Sequence, residues 1–173
     1  MLSVPLQRQK NKIKMKILVV YYSWSGNTKV IANQIKEITG ADIFEIELVE
    51  PFSTDYNTVA QEYRADNRTE KIRKMKKTVE NLSSYDVIFI GTPIWGNTRA
   101  LPIKSFLNEH NFDGKTVVPF ATHAGGGAGT CFNDIKKEAP QAHFVEGLSL
   151  SGSQIHNSKA SIEKWLLNVG VIK

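Results

Sequence analysis

The chain has 173 residues, 41% of them hydrophobic and 23% charged, with a net charge of +5. That length and balance suit one globular domain with a full core, and argue against a disordered or fibrous chain. No apolar run nears the roughly 18 residues of a membrane span, and a single cysteine excludes an internal disulfide, so the expectation is a cytoplasmic protein without membrane attachment.

Residues 1–14 hold Arg8, Lys10, Lys12 and Lys14 and no acid. They carry most of the excess charge, because without them the remainder is only +1 (18 basic against 17 acidic residues). This stretch reads as a disordered N-terminal extension, leaving 15–173 as the domain. Four cations with no aromatic residues between them argue against a nucleic-acid arm.

From Lys16 onward the pattern alternates strand and helix. Ile17–Tyr22 is a continuous apolar run, as in a parallel strand buried on both faces. Ser23-Trp24-Ser25-Gly26-Asn27-Thr28 follows and opens a helix over Thr28–Ile38, which Gly40 stops. The first N–H groups of a helix lack partners and carry partial positive charge. Beside them this turn sets three hydroxyls, an amide and a glycine. The turn is either a phosphate cradle or a polar connection with a good cap, and the two readings weigh about equally.

Asp42–Val49 alternates and suits a strand near a sheet edge. Residues 50–68 are irregular, with a short helix expected around Thr58–Arg64. Ile72, Met75, Val79 and Leu82 form a stripe that predicts a helix over Thr69–Leu82, with Lys71, Arg73, Lys74, Lys76 and Lys77 on its solvated side. Val87–Ile90 is the third strand, ended by Gly91-Thr92-Pro93. Pro102–His110 reads as a helix with proline in its first turn. Val117–Phe120 is the fourth strand, and Pro119 suggests an edge or a bend. Glycines 125–127 and 129 precede a helix reaching Glu138. Ala142–Val145 starts a fifth strand that runs on to Leu150, and Ser158–Asn168 is the last helix, with Ile162, Trp165 and Leu166 facing the sheet.

Five strands separated by helices predict an α/β three-layer sandwich, an open parallel sheet covered on both faces. Ligands of such sheets sit beyond the carboxyl ends of the strands. The loops at that end are Ser23–Thr28, Thr92–Thr98 and Thr122–Gly129. Trp95 in the second is either a lid on the core or a platform for a flat ligand. The third is nearly bare of side chains, so a planar ring can lie close to its backbone. A phosphate end, an aromatic platform and a backbone-lined edge describe a site for flavin mononucleotide (FMN).

In these three loops, in this order and spacing, the sequence resembles the flavodoxin family, in its short-chain form, over essentially Met15 to the C-terminus. Asp55-Tyr56-Asn57 also resembles a stretch found in flavodoxin-like proteins of bacteria. The resemblance implies a five-stranded sheet of order 2-1-3-4-5 and one non-covalent FMN that carries one or two electrons. It implies that Ser23, Trp24, Ser25, Gly26, Asn27 and Thr28 hold the phosphate. Thr92, Pro93, Ile94, Trp95, Gly96 and Asn97 would border the ring, with the Gly96 peptide meeting the flavin N5. Thr122, His123, Gly125, Gly126 and Gly127 would line its far edge.

Partners implied are redox proteins or a small flat electron acceptor. Electron carriers of the family are often strongly acidic, whereas this body is nearly neutral. The bare third loop resembles FMN-dependent NAD(P)H:quinone oxidoreductases instead, so carrier and enzyme both stand as readings. His110, His123, His143 and His156 lack metal-ligand spacing. His123 reads equally as a proton donor at the flavin or a plain surface histidine. Cys131 reads as a small buried hydrophobe ahead of a reactive thiol.

Overall fold

The computed structural model describes residues 14–173. The expected N-terminal extension therefore lies outside the described residues, apart from Lys14. The strands are β1 (Ile17–Tyr21), β2 (Asp42–Glu45), β3 (Val87–Trp95), β4 (Thr98–Arg99), β5 (Thr116–His123), β6 (His143–Phe144) and β7 (Leu148–Ser151). The helices are α1 (Asn27–Thr39), α2 (Tyr56–Thr69), α3 (Leu101–Glu109), α4 (Cys131–Glu138) and α5 (Lys159–Asn168). Among the described residues no helix is long and apolar enough to cross a membrane.

The sheet runs β2-β1-β3-β5, with β6 and β7 both parallel to β5 on its outer side. Counting β6 and β7 as one interrupted strand, and setting aside the small hairpin of β3 with β4, this is the expected order 2-1-3-4-5. Side chains alternate between two cores, as strand geometry requires. Leu18, Val20, Ile88, Ile90 and Val117 point to one face with Ile103, Phe106 and Ile135 of α3 and α4. Val19, Tyr21, Phe89, Val118 and Phe120 point to the other with Ile31 and Ile35 of α1 and Ile162, Trp165 and Leu166 of α5. Both faces are thus covered, which explains why β1 and β3 read as continuous apolar runs.

Several expectations give way. The helix expected over Thr69–Leu82 is absent: α2 ends at Thr69, where Glu70 takes φ 55° as its cap. Residues 70–81 run without helix, and Met75 bridges Leu48 in antiparallel fashion, with Val49 N donating to Lys74 O and Lys76 N to Glu47 O. A helix here would stack Lys71, Arg73, Lys74, Lys76 and Lys77 at spacings of three and four with no acid among them, which is unfavourable. The extended path buries Met75 and sends Arg73 to Asp66 at 2.6 Å.

The third strand does not stop at Gly91. It continues to Trp95, because Thr92 and Pro93 stay in register with Ala121 and Thr122 of β5, and Ile94 and Trp95 then pair with Arg99 and Thr98 of β4. The strand expected over Asp42–Val49 is shorter, ending at Glu45 at the sheet edge. The helix expected at Thr58–Arg64 lengthens to Tyr56–Thr69, its N-terminus capped by Asp55, which accepts from Thr58 N at 2.9 Å.

Pro119 lies within the sheet, on β5, between β3 and the outer strand. His143 N and Val145 N donate to Lys115 O and Val117 O, so odd-numbered residues of β5 face outward. The missing N–H of Pro119 therefore points at the outer strand, where that strand breaks between β6 and β7. The expected bend falls on the neighbour rather than on the proline's own strand.

Candidate functional site

The connections that follow β1, β3 and β5 converge on one cleft of about 520 Å³. Its first wall is the turn into α1. Gly26 takes φ +96°, a conformation that disfavours other residues, and no side chain caps the helix. The first intrahelical bond runs from Val30 N to Gly26 O at 3.2 Å, so the N–H groups of Asn27 and Thr28 come before it and point out of the helix end. Lys29 N turns back to Ser23 Oγ at 3.3 Å. The first turn holds no acid, and the Lys29 ammonium is drawn off to Glu45 at 3.0 Å. What remains is a helix end with free donors and partial positive charge.

Two contacts hold this turn in place. Trp24 Nε1 donates to Ser53 O at 2.8 Å, and its ring meets Tyr56 edge-on at 6.4 Å. Beneath the surface, Thr28 Oγ1 lies 2.9 Å from Thr122 Oγ1, both buried. The Thr28 hydroxyl thus ties the first connection to the third, while its backbone N–H stays among the open donors of the helix end.

The second wall is the β3–β4 hairpin. Gly96 and Asn97 both have positive φ, +54° and +69°, as a two-residue type I′ turn demands. A side chain at 96 would overlap the Tyr63 hydroxyl, which donates to Trp95 O at 3.4 Å. Trp95 is gripped edge-to-face by Tyr22, Phe52 and Tyr63, at 5.6, 5.0 and 5.9 Å. It therefore packs on the core, as the lid reading expects, and also lines the cleft. Thr92 is buried beneath, accepting from Ala100 N and donating to Pro93 O.

The third wall is Thr122, His123 and Ala124. Gly125 N donates to His123 Nδ1 at 3.0 Å, so the ring proton sits on Nε2. Past it, a side chain at 125, 126 or 127 would meet nothing within 4 Å, so this backbone is open to an approaching molecule. The loop then closes on the hairpin. Gly129, at φ +53°, packs against the Asn97 carbonyl, and Thr130 N donates to that carbonyl at 2.9 Å. Asp134 accepts from Thr98 Oγ1 at 2.6 Å and Thr130 Oγ1 at 2.7 Å, and these bonds hold its carboxyl below the usual range. Arg99 pairs with Glu138 alongside. Cys131 is fully buried next to this cluster, and burial pushes its thiol up to about 12, so it is a packing residue.

Of the residues expected from sequence, the cleft is lined by Trp24, Ser25, Asn27, Pro93, Ile94, Trp95, Gly96, Thr122 and His123. Ser23, Gly26, Thr28, Thr92, Asn97 and the glycines at 125–127 stand behind or beside it and shape the three walls. Sequence reasoning missed the fourth wall, α2, which contributes Tyr56, Val59, Ala60, Tyr63 and Arg64. Spacings of three, four and seven from Tyr56 do mark one helix face, but the residue types suggest packing rather than binding. Gly152 was also missed; a side chain there would press on Asn27 Nδ2 at 3.0 Å.

A cleft with bare N–H donors at one end, aromatic walls along it and exposed backbone at its rim suits a flat molecule carrying a phosphate. The family model described as Flavodoxin matches residues 16–169. Among solved structures, the chain is similar to a candidate flavoprotein from Bacteroides eggerthii, with 30% identity over 92% of this chain and 99% of the other and a TM-score of 0.79. A candidate flavoprotein from Bacteroides uniformis shares 25% identity, covering 88% and 98% of the two chains, with a TM-score of 0.76. A flavoprotein from Lactobacillus acidophilus, solved in complex with FMN, shares 26% identity, covering 83% and 97%, with a TM-score of 0.67. No curated protein matches the sequence.

Proposed function

The chain belongs to the flavodoxin family, and from that premise we propose that it is a redox protein working through one FMN held non-covalently in the cleft. The observation that carries the reading is the meeting of three walls beyond the carboxyl ends of β1, β3 and β5: an uncapped helix end without acids, an aromatic-backed hairpin, and open glycine backbone. The residues fit the group. Asn27 N–H and Thr28 N–H, with the hydroxyls of Ser23 and Ser25, receive its phosphate. Each hydrogen bond to that charge is worth about 1.5–3 kcal/mol. Pro93, Ile94, Trp95 and Gly96 border the ring on the hairpin side, and Thr122 and His123 border it on the other. FMN supplies one- or two-electron chemistry at that ring. The protein fixes orientation and limits water: Trp95 is locked by three aromatic neighbours, and the hairpin is clamped by Thr130 and Asp134. His123, with its proton on Nε2, is the group placed to donate a hydrogen bond at the rim.

Two roles fit this chemistry, a carrier between larger redox proteins and an NAD(P)H:quinone-type oxidoreductase. The aromatic wall of Tyr56 and Tyr63 favours the second, since it gives a flat molecule a surface to lie against. Mixing the FMN-loaded protein with NADPH and a quinone separates the roles. Rapid bleaching of the flavin followed by turnover supports the oxidoreductase. Absence of reduction by NADPH, with a stable semiquinone on photoreduction, supports the carrier.

A further inference from the structure

We infer that Arg64 marks a second recognition point in the cleft, one for the anionic group of a flat electron donor or acceptor; this rests on the FMN reading above. Helix α2 acts as a ruler along the cleft. Its Tyr56 touches Trp24 of the first turn at 6.4 Å, and the hydroxyl of its Tyr63 reaches Trp95 O on the hairpin. Seven helical residues span about 10 Å. Arg64, next to Tyr63, therefore lies at the hairpin end, about 12 Å along the helix from Tyr56. The cofactor's phosphate belongs to the other end.

The guanidinium is unengaged. Among the described residues the Arg64 side chain makes no hydrogen bond and no ion pair. Its helical neighbours at three and four residues, Ala60, Gln61, Asn67 and Arg68, include no acid. The acids nearest along the helix are already occupied: Asp55 by Thr58, Glu62 by Ser53 N at 2.8 Å, and Asp66 by Arg73 at 2.6 Å. The cleft lining contains no carboxylate at all. An unpaired, always-charged planar fork at the mouth of a cleft without negative charge selects an anion, and a carboxylate, sulfonate or phosphate can meet it with two parallel hydrogen bonds. Val59, Ala60, Tyr56 and Tyr63 along the same wall favour a flat apolar body behind that anion.

The test uses two redox-inert probes, naphthalene-2-sulfonate and the uncharged naphthalene-2-methanol, titrated by calorimetry into the full chain with and without FMN. The FMN-loaded protein is expected to bind the sulfonate about tenfold more tightly than the alcohol, and less tightly as salt rises. Arg64→Gln should erase that tenfold preference, leave the alcohol unchanged, and leave FMN affinity within twofold. Arg64→Lys should restore part of the preference. Equal binding of both probes to the wild type, or an unchanged preference in Arg64→Gln, overturns the assignment. So does a loss of FMN affinity as large as the loss for the sulfonate, because Arg64 would then serve the cofactor's own phosphate. Failure of the wild type to bind FMN would instead refute the cofactor reading, while the sulfonate titration without FMN still judges Arg64.

Discussion

The bond between Thr28 and Thr122 offers the sharpest test of how the site is built. It joins the turn into α1 to the end of β5, at 2.9 Å, with both side chains nearly inaccessible at 1% and 4% exposure. Thr28→Val keeps the shape and removes one partner, leaving the Thr122 hydroxyl buried without a mate. The loss is the net hydrogen bond plus the desolvation of an unpaired group, together about 1–3 kcal/mol. Thr122→Val should cost about as much. The double variant removes both polar groups and should cost well under the sum, giving a coupling of about 1 kcal/mol or more. Urea unfolding of the cofactor-free protein measures all three. FMN and riboflavin titrations of Thr28→Val should show a larger loss for FMN, because the shifted element is the turn proposed to hold the phosphate. Additive single effects would show that the two hydroxyls do not pair, and equal losses for both ligands would place the phosphate elsewhere.

Three further outcomes follow from the walls of the cleft. Gly129→Ala should lower the melting temperature more than Gly127→Ala: both have positive φ, costing about 1–2 kcal/mol, but a side chain at 129 also strikes the Asn97 carbonyl while one at 127 meets open space. Equal effects would contradict the packing of Gly129 on the hairpin. Asp134 has its carboxyl held low, so its stabilising contribution is full above the unfolded value of about 3.9 and is lost as pH falls through the lower folded value. Asp134→Asn should therefore flatten the acid side of the stability profile below about pH 4 and leave the slope near neutrality unchanged; an unaltered acid side would refute the clamp. Burial raises the Cys131 thiol to about 12, so a disulfide reagent at pH 8 should label the unfolded chain and spare the folded one.

Much of this molecule could be read from its residues because burial on two faces leaves a local mark. The run Ile17–Tyr21 and the spacing of Ile31 and Ile35 needed nothing beyond their own segments. The errors arose where a distant partner decided the outcome. Ile72, Met75 and Val79 fit a helix, but they equally fit a strand-like path once Leu48 offers a bridge and the clustered lysines oppose helical stacking. Gly91-Thr92-Pro93 resembles a strand end, yet pairing with β5 carries β3 on to Pro93 and the turn back into β4 carries it to Trp95. Pro119 signalled an interruption correctly, and only the pairing pattern shows that the outer strand breaks instead of its own. For the site, the three connections were legible through glycine, hydroxyl and tryptophan residues with few other uses at such positions. The α2 wall was not, since tyrosine, valine and alanine on a helix face look like core until the fold turns that face toward the cleft.

The proposed function requires a phosphate-bearing flavin in the space between these walls. Calorimetric titration of FMN and of riboflavin into the cofactor-free chain tests it most directly. Saturation at one FMN per chain is expected, with a shifted yellow absorption band and clearly weaker binding of riboflavin. A featureless titration, or riboflavin binding as tightly as FMN, would contradict it.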